Sequence, residues 1–378
     1  MKWGKFVILL IIIFWGCTAR REKQKNNVQL KTLKLQRDLA VSTDSMGTVV
    51  GGLLSNLTVD DRGDIYFYDG RKGKIDVLNA GGHYLRSFGA RGKGPGEFLN
   101  LFNIKVYRDT LYVIEFYPNR LTRFQLNYHK LIDVQKFPDI QVGQLPMGIP
   151  YSIYPLNGKR YAMIFRNNLR HAHPKVTYSI YNRKLQPVDT VLQQFPQSQH
   201  LQYQNPENKG MYGFRVDLLP KTIIRFGPYG YLYEASSDSL HIRVYDHSGR
   251  KIRDISSPYL PPALTRHDLD SLANDMDPTY QNMFYKALKQ YDLPDRWLAL
   301  HDFLVDEQGR CWVALKNPGK EFLKWRVFDA GGNARWKFNL PRSVDIYAIR
   351  KLELYGIQKE EETMPRIVRY HINGLDDS

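Results

Sequence analysis

One unit of turn and strand recurs along most of this chain and limits what it can fold into. Its clearest copy starts at Leu57-Thr58-Val59-Asp60, turns at Arg62-Gly63-Asp64, and continues as Ile65-Tyr66-Phe67-Tyr68-Asp69. Lys74-Ile75-Asp76-Val77-Leu78 follows, then a turn at Asn79-Ala80-Gly81-Gly82 and a last run, Tyr84-Leu85-Arg86-Ser87-Phe88-Gly89. Apolar and polar residues alternate inside the runs, the two-residue period of a half-buried strand, and glycines mark tight turns. Aromatic residues make up 13% of the chain, with 25 Tyr, and flat rings suit a pleated surface.

The unit returns five times. Ile104-Lys105-Val106 leads into Thr110–Ile114 and Arg120–Phe124. A looser copy runs through Asn157-Gly158, Tyr161–Phe165 and Thr177–Tyr181. A fourth has Gly230–Tyr233, His241–Asp246 and a turn at Ser248-Gly249; a fifth has Val305–Val313, Trp325–Asp329 and Gly331-Gly332. The last spans Leu352–Tyr355 and Arg366–Tyr370. The first two copies start about 45 residues apart, the size of a four-stranded propeller blade. The last copy lacks an outer strand, whereas Gln29–Leu35 alternates like a spare one. A ring in which Leu30–Leu35 zips onto Arg366–Ile372 resolves both and leaves no free edge. The expected fold is all-β: a six-bladed β-propeller of four-stranded antiparallel blades over residues 28–373, closed by an N-terminal strand, with a tail at 374–378.

One segment breaks the pattern. Apolar residues at Leu269, Leu272, Met276, Met283, Phe284, Ala287 and Leu288 have helical spacing, with Thr265 placed to cap and Asp277-Pro278 to divide two short helices. Proline-rich flanks bound this insertion at about 263–292, before the fifth blade. It is a candidate lid or partner surface.

The glycine-rich link Phe88-Gly89-Ala90-Arg91-Gly92-Lys93-Gly94-Pro95-Gly96-Glu97-Phe98 resembles the inter-blade link of NHL-type repeats, and Asp60–Gly89 fits that pattern along its length. Over roughly 28–373 the chain is similar to bacterial six-bladed propeller lipoproteins of the NHL/TolB-like group. The N-terminus agrees. Lys2 and Lys5 precede an apolar run, Phe6–Trp15, of ten residues, and Gly16-Cys17 follows. A spanning helix needs roughly 20 apolar residues, so this run reads as an export signal. It resembles a lipoprotein signal covering 1–17, with Cys17 acylated as the mature N-terminus; cleavage after Cys17-Thr18-Ala19 is the rival. Thr18 in place of Asp implies, by that resemblance, the outer membrane, facing periplasm or cell surface. The polar stretch 18–27 is then a tether.

Net charge is +16, about +14 after such processing, which favours anionic partners. The cations are scattered, with no nucleic-acid-binding motif, so nucleic acid is not expected. Apart from Cys17 the sequence has only Cys311, in an apolar strand, so a buried structural thiol is expected there and no disulfide.

Candidate chemistry is sparse. Gly92-Lys93-Gly94 is followed by Pro95, not by the Ser or Thr and helix that a phosphate loop needs, so a structural turn is the better reading. His171-Ala172-His173 suits Zn or Cu only with a third ligand that the sequence does not name. Asp268, Asp270, Asp275 and Asp277 lack the glycine and glutamate of a Ca loop and read as a solvated helix face. Arg62-Gly63-Asp64 spells an adhesion tripeptide at a turn that needs Gly and Asp anyway. No Gly-x-Ser-x-Gly elbow occurs. The innermost strands bring Asn56, Asn103, Tyr151, Thr222, His301 and Asp302 toward the channel. Some six-bladed propellers are Ca-dependent lactonases, but Asp302 is the single carboxylate here, and His301-Asp302 as an acid/base pair competes with plain turn and packing roles.

The reading is a non-enzymatic binding or scaffold propeller, monomeric and membrane-tethered by lipid, that recognises an envelope protein, peptide or anionic glycan through its loops and channel mouth. No cofactor or metal is assigned. The alternatives are a Ca- or Zn-dependent lactonase or esterase and a purely structural subunit of an envelope complex.

Overall fold

The computed structural model describes residues 29–375, apart from 43–53, 71, 129, 138–139, 143–144, 157–158, 168–174, 189–191, 197–200, 208, 215, 217 and 361–363. Cys17, His171 and His173 lie outside the described residues.

Six antiparallel sheets follow one another in chain order, each running from its innermost strand outward. Blade one is Leu54–Val59, Ile65–Asp69, Lys74–Leu78 and Tyr84–Phe88; blade two is Asn100–Tyr107, Thr110–Tyr117, Arg120–Gln125 and Lys130–Lys136. Blade three is Leu145–Leu156, Arg160–Asn167, Lys175–Asn182 and Gln193–Pro196, with Ile140–Val142 added inside its first strand. Thr222–Phe226, Leu232–Ser236, His241–Tyr245 and Lys251–Ser256 form blade four. Blade five holds Leu300–Val305, Cys311–Leu315, Phe322–Phe328 and Ala334–Pro341; blade six holds Val344–Arg350, Glu353–Gln358 and Arg366–Asn373.

The outer strand of blade six is Lys34–Ser42, antiparallel to Arg366–Asn373 from Lys34 opposite Asn373 to Ser42 opposite Arg366. The N-terminal strand thus closes the ring, but it is not Leu30–Leu35. Of that segment's residues only Lys34 and Leu35 join the last sheet. Lys31 and Thr32 instead run parallel to Trp336 and Lys337 at the edge of blade five. Between the two pairings, Leu33 drops into the core shared by blades five and six, 3% exposed. Burying that one side chain fixes where the chain crosses from blade to blade. A register shift between Arg37 and Leu39 breaks the alternation of the true closing strand.

The core is six separate apolar layers, each between neighbouring blades. Ile75, Phe98 and Val113 fill the layer of blades one and two, and Tyr112, Met163 and Phe165 that of two and three. The circle completes at Leu57, Phe67, Tyr355 and Ile367, between blades one and six. Trp325 stacks on Phe338 with centroids 5.5 Å apart, inside the layer of blades five and six.

Asp-x-x-Gly turns hold the strands in register. The Asp60 carboxylate accepts the backbone N–H groups of Arg62 and Asp64 at 2.9 Å, and Gly63 takes φ 90°. Asp306 repeats this toward Gln308 and Arg310 and also accepts Trp312 Nε1 at 2.8 Å. A side chain that satisfies two turn donors and a glycine that supplies positive φ are what such a turn requires. The Arg62-Gly63-Asp64 tripeptide is therefore a turn. The 88–98 link is also structural: Gly94 N–H donates to Glu97 at 2.7 Å, and Arg120, paired with buried Glu115, donates to the Lys93 carbonyl at 2.7 Å.

Since strands alternate in direction, every first-to-second and third-to-fourth turn falls on one end of the ring and every link between blades on the other. Two insertions share that link end. Thr265 and Asp268 form a capping box for α1 (Arg266–Asn274), and Asp277 caps α2 (Pro278–Leu288) with Pro278 in its first turn. The other insertion, a hairpin of Leu201–Gln204 and Met211–Phe214, has no counterpart in the sequence reading. Phe214 meets Phe284 edge-on at 5.4 Å, and Leu201, Ala273, Ala287 and Trp297 complete a small satellite core. The helices therefore join an insertion from the preceding link.

Candidate functional site at the channel mouth

The innermost strands carry a shared irregularity. In blades one, two, three, five and six, one extra residue interrupts pairing with the second strand: Asn56, Phe102, Tyr151, His301 and Tyr347. Blade four, beginning at Thr222, pairs without a shift. A bulge bends its strand and re-aims a side chain. Asn56 does so with φ 57°, a conformation that Asn tolerates. Asn56, Tyr151 and His301 are thus bulge residues, Asn103 and Asp302 each follow one, and Thr222 heads the regular strand. Phe102 and Tyr347 complete the set and were not singled out from sequence.

Tyr151 is the hub of the group the fold brings together. Asn103 Nδ2 donates to its carbonyl at 3.2 Å, and Phe102 meets its ring edge-on at 5.8 Å. The Arg166 guanidinium lies 3.8 Å from the ring centroid, and Arg225 reaches the same side chain from blade four. Arg225 Nη2 also donates to both carboxylate oxygens of Asp302, at 2.6 and 2.7 Å. Burial opposes the Arg225 charge, but Asp302 and Tyr151 more than restore it and hold the guanidinium protonated. Asp302 Oδ1 accepts Phe303 N–H as well, at 2.7 Å, so this carboxylate serves the arginine and the strand. Asn56 has no hydrogen bond to this group among the described residues. The Thr222 hydroxyl turns away, toward the Pro196 carbonyl.

Deeper in the bore lies Lys105. Its neighbours Ile104 and Val106 are buried against blade one, so its own side chain points the other way, where water reaches it. Protein nevertheless crowds it: burial, then the positive fields of Arg350 and Arg225, hold its ammonium below the ordinary lysine range. Arg350, on the inner strand of blade six, donates to the Val59 carbonyl at 2.7 Å and pairs with Asp61 and Glu307. Lys105, Arg225 and Arg350 come from blades two, four and six. None drew notice in the sequence, where each reads as the polar member of an alternating strand.

A separate groove of about 550 Å³ lies between blades five and six, lined by Glu321, Asn339, Ser343, Gln358 and Glu360 among others. Its walls mix polar and acidic groups with Phe322, Leu340 and Pro341 and come mostly from strands away from the bore. Cys311 is fully buried, and burial pushes its thiol well above the ordinary range. Among the described residues no three His, Cys, Asp or Glu side chains gather as a metal would require.

Residues 48–254 match the family DUF5128, described as a six-bladed β-propeller. The chain belongs to this family. A search of curated proteins finds no match. Among solved structures, this DUF5128 chain is similar to a member of the DUF4221 family from Bacteroides vulgatus, at 11% identity over 91% of this chain and 99% of that one, TM-score 0.55. It is also similar to a Bacteroides fragilis protein described as exported, at 11% identity over 90% and 95%, TM-score 0.50. At such identities the likeness speaks for the fold and not for chemistry.

Proposed function

We propose that this propeller is an exported binding protein, monomeric and tethered through a lipid on Cys17, that recognises its partner at the channel mouth on the link end of the ring. The observation that carries this reading is the cluster around Tyr151, where two aromatic rings and two arginines converge from blades two, three and four. Rigid aromatics beside guanidinium groups offer a large contact area at small entropic cost and favour anionic or π-rich partners. The NHL-type likeness of the 88–98 link and the signal-like N-terminus agree with a cell-envelope lipoprotein. The rival hydrolase reading draws little support from this mouth, because Arg225 occupies both oxygens of its one candidate carboxylate.

The test is binding of the purified protein to arrays of peptides and of neutral and acidic glycans, with Tyr151→Ala beside the parent. A ligand retained by the parent and weakened at least tenfold by the substitution supports the reading. Equal binding by both proteins, or turnover of lactone or ester substrates, overturns it.

A further inference from the structure

The Tyr151 cluster leaves one charged group of the bore unexplained. Lys105 sits on the inner strand of blade two with its ammonium in the bore, and among the described residues no carboxylate pairs with it. The charges that act on it are Arg225 and Arg350, from the inner strands of blades four and six. Arg225 has Asp302, and Arg350 has Asp61 and Glu307, but those carboxylates serve the arginines. An ammonium facing like charges is destabilised relative to one in open solvent. An oxyanion between it and an arginine reverses the sign of that interaction, and its charge-assisted hydrogen bonds are stronger than neutral ones.

We propose that Lys105, flanked by Arg225 and Arg350, holds an oxyanion group (sulfate, phosphate or carboxylate) inside the bore as the charged end of a ligand whose body rests on Phe102 and Tyr151. This inference builds on the mouth reading above and gives its ligand a chemical class. The aromatic mouth lies at the start of the inner strands and Lys105 three residues further along blade two than Phe102, so an extended ligand meets ring before cation. The same oxyanion chemistry is available from a free ion and from an acidic oligosaccharide. The two sources differ in whether the mouth contributes.

The experiment is calorimetric titration of the whole folded protein with sodium sulfate, inorganic phosphate and tetragalacturonate, against sodium chloride at matched ionic strength. The variants are Lys105→Gln, Lys105→Arg and Tyr151→Ala, each checked for native circular dichroism. Saturable binding of at least one oxyanion probe, weakened about tenfold or more by Lys105→Gln and kept by Lys105→Arg, is the expected result. Tyr151→Ala should leave the inorganic ions unaffected and weaken tetragalacturonate alone. No saturable binding beyond the chloride control, or equal binding by parent and Lys105→Gln, overturns the bore site. If Lys105→Gln changes nothing while Tyr151→Ala abolishes tetragalacturonate binding, the mouth reading stands and the bore site falls. If the ions need Lys105 but Tyr151→Ala leaves tetragalacturonate unchanged, the bore site stands and the mouth reading falls.

Discussion

Arg225 of blade four holds Asp302 of blade five through one nitrogen, Nη2 lying 2.6 Å from Oδ1 and 2.7 Å from Oδ2. The pair joins two blades at the wall of the bore and offsets one of its positive charges. Both side chains are partly open to solvent, 27% and 38% exposed, so water screens the attraction. Asp302→Asn should therefore cost only about 0.5–1 kcal/mol of stability by urea denaturation. It also leaves the bore more positive, and oxyanion affinity should rise about threefold at low salt. A loss of affinity would show Asp302 to be a ligand contact.

The pH dependence of Lys105 has a definite sign. Its folded value lies below the ordinary 10.5, so between the two values the unfolded chain binds more protons than the folded one. Stability then rises with pH across that window, and the full cost of holding this charge beside two arginines is present below it. Lys105→Met removes the cost. In urea titrations its advantage over the parent should be greatest at pH values well below the ordinary lysine range and shrink as pH rises toward that range. An advantage that grows with pH contradicts the assignment.

Leu33 tests where the ring is locked. It is buried between blades five and six, and its N–H donates to the Lys337 carbonyl at 2.9 Å. Leu33→Ala should cost about 2–4 kcal/mol, whereas the exposed Lys31→Ala should be near neutral. Matching losses at the two positions would mean that Leu33 is not the lock.

The turns made most of this architecture legible. Asp60 and Asp306, with glycine three residues on, recur because the same turn must be made repeatedly, and a repeat can be read without knowing its partners. The sequence points to a closing strand that begins too early, since Gln29–Leu35 alternates cleanly whereas the bulge at Asp38 hides the alternation of Lys34–Ser42. The hairpin Leu201–Phe214 escaped notice because its apolar face is matched only by helices some seventy residues away. Bulges at Phe102 and Tyr347 depend on the partner strand's register, which one strand's sequence does not contain. For the same reason nothing in its own strand marks Lys105: the arginines whose fields reach it, Arg225 and Arg350, are distant in sequence.

Cys311 gives a route to the N-terminus. It is fully buried with a raised pKa, so a thiolate-selective reagent should not label it until the protein unfolds. Protein taken from membranes should show no reactive thiol when native and one per chain in denaturant. Cys17→Ser should release the protein into the soluble fraction. A native-state thiol would show an unmodified Cys17, and a Cys17→Ser protein that stays on the membrane would rule out a lipid anchor.

Lys34 and Asn373 are cross-strand neighbours, so the first and last strands of the ring meet within one sheet. Where the ring is cut is then arbitrary with respect to its packing. A circular permutant that links Leu375 back to Gln29, so that Leu33 keeps its place, and opens at the Ser248-Gly249 turn would close blade six with a continuous chain and put new termini on a surface loop. Synthesis would begin within blade four, yet the chain should reach the same propeller.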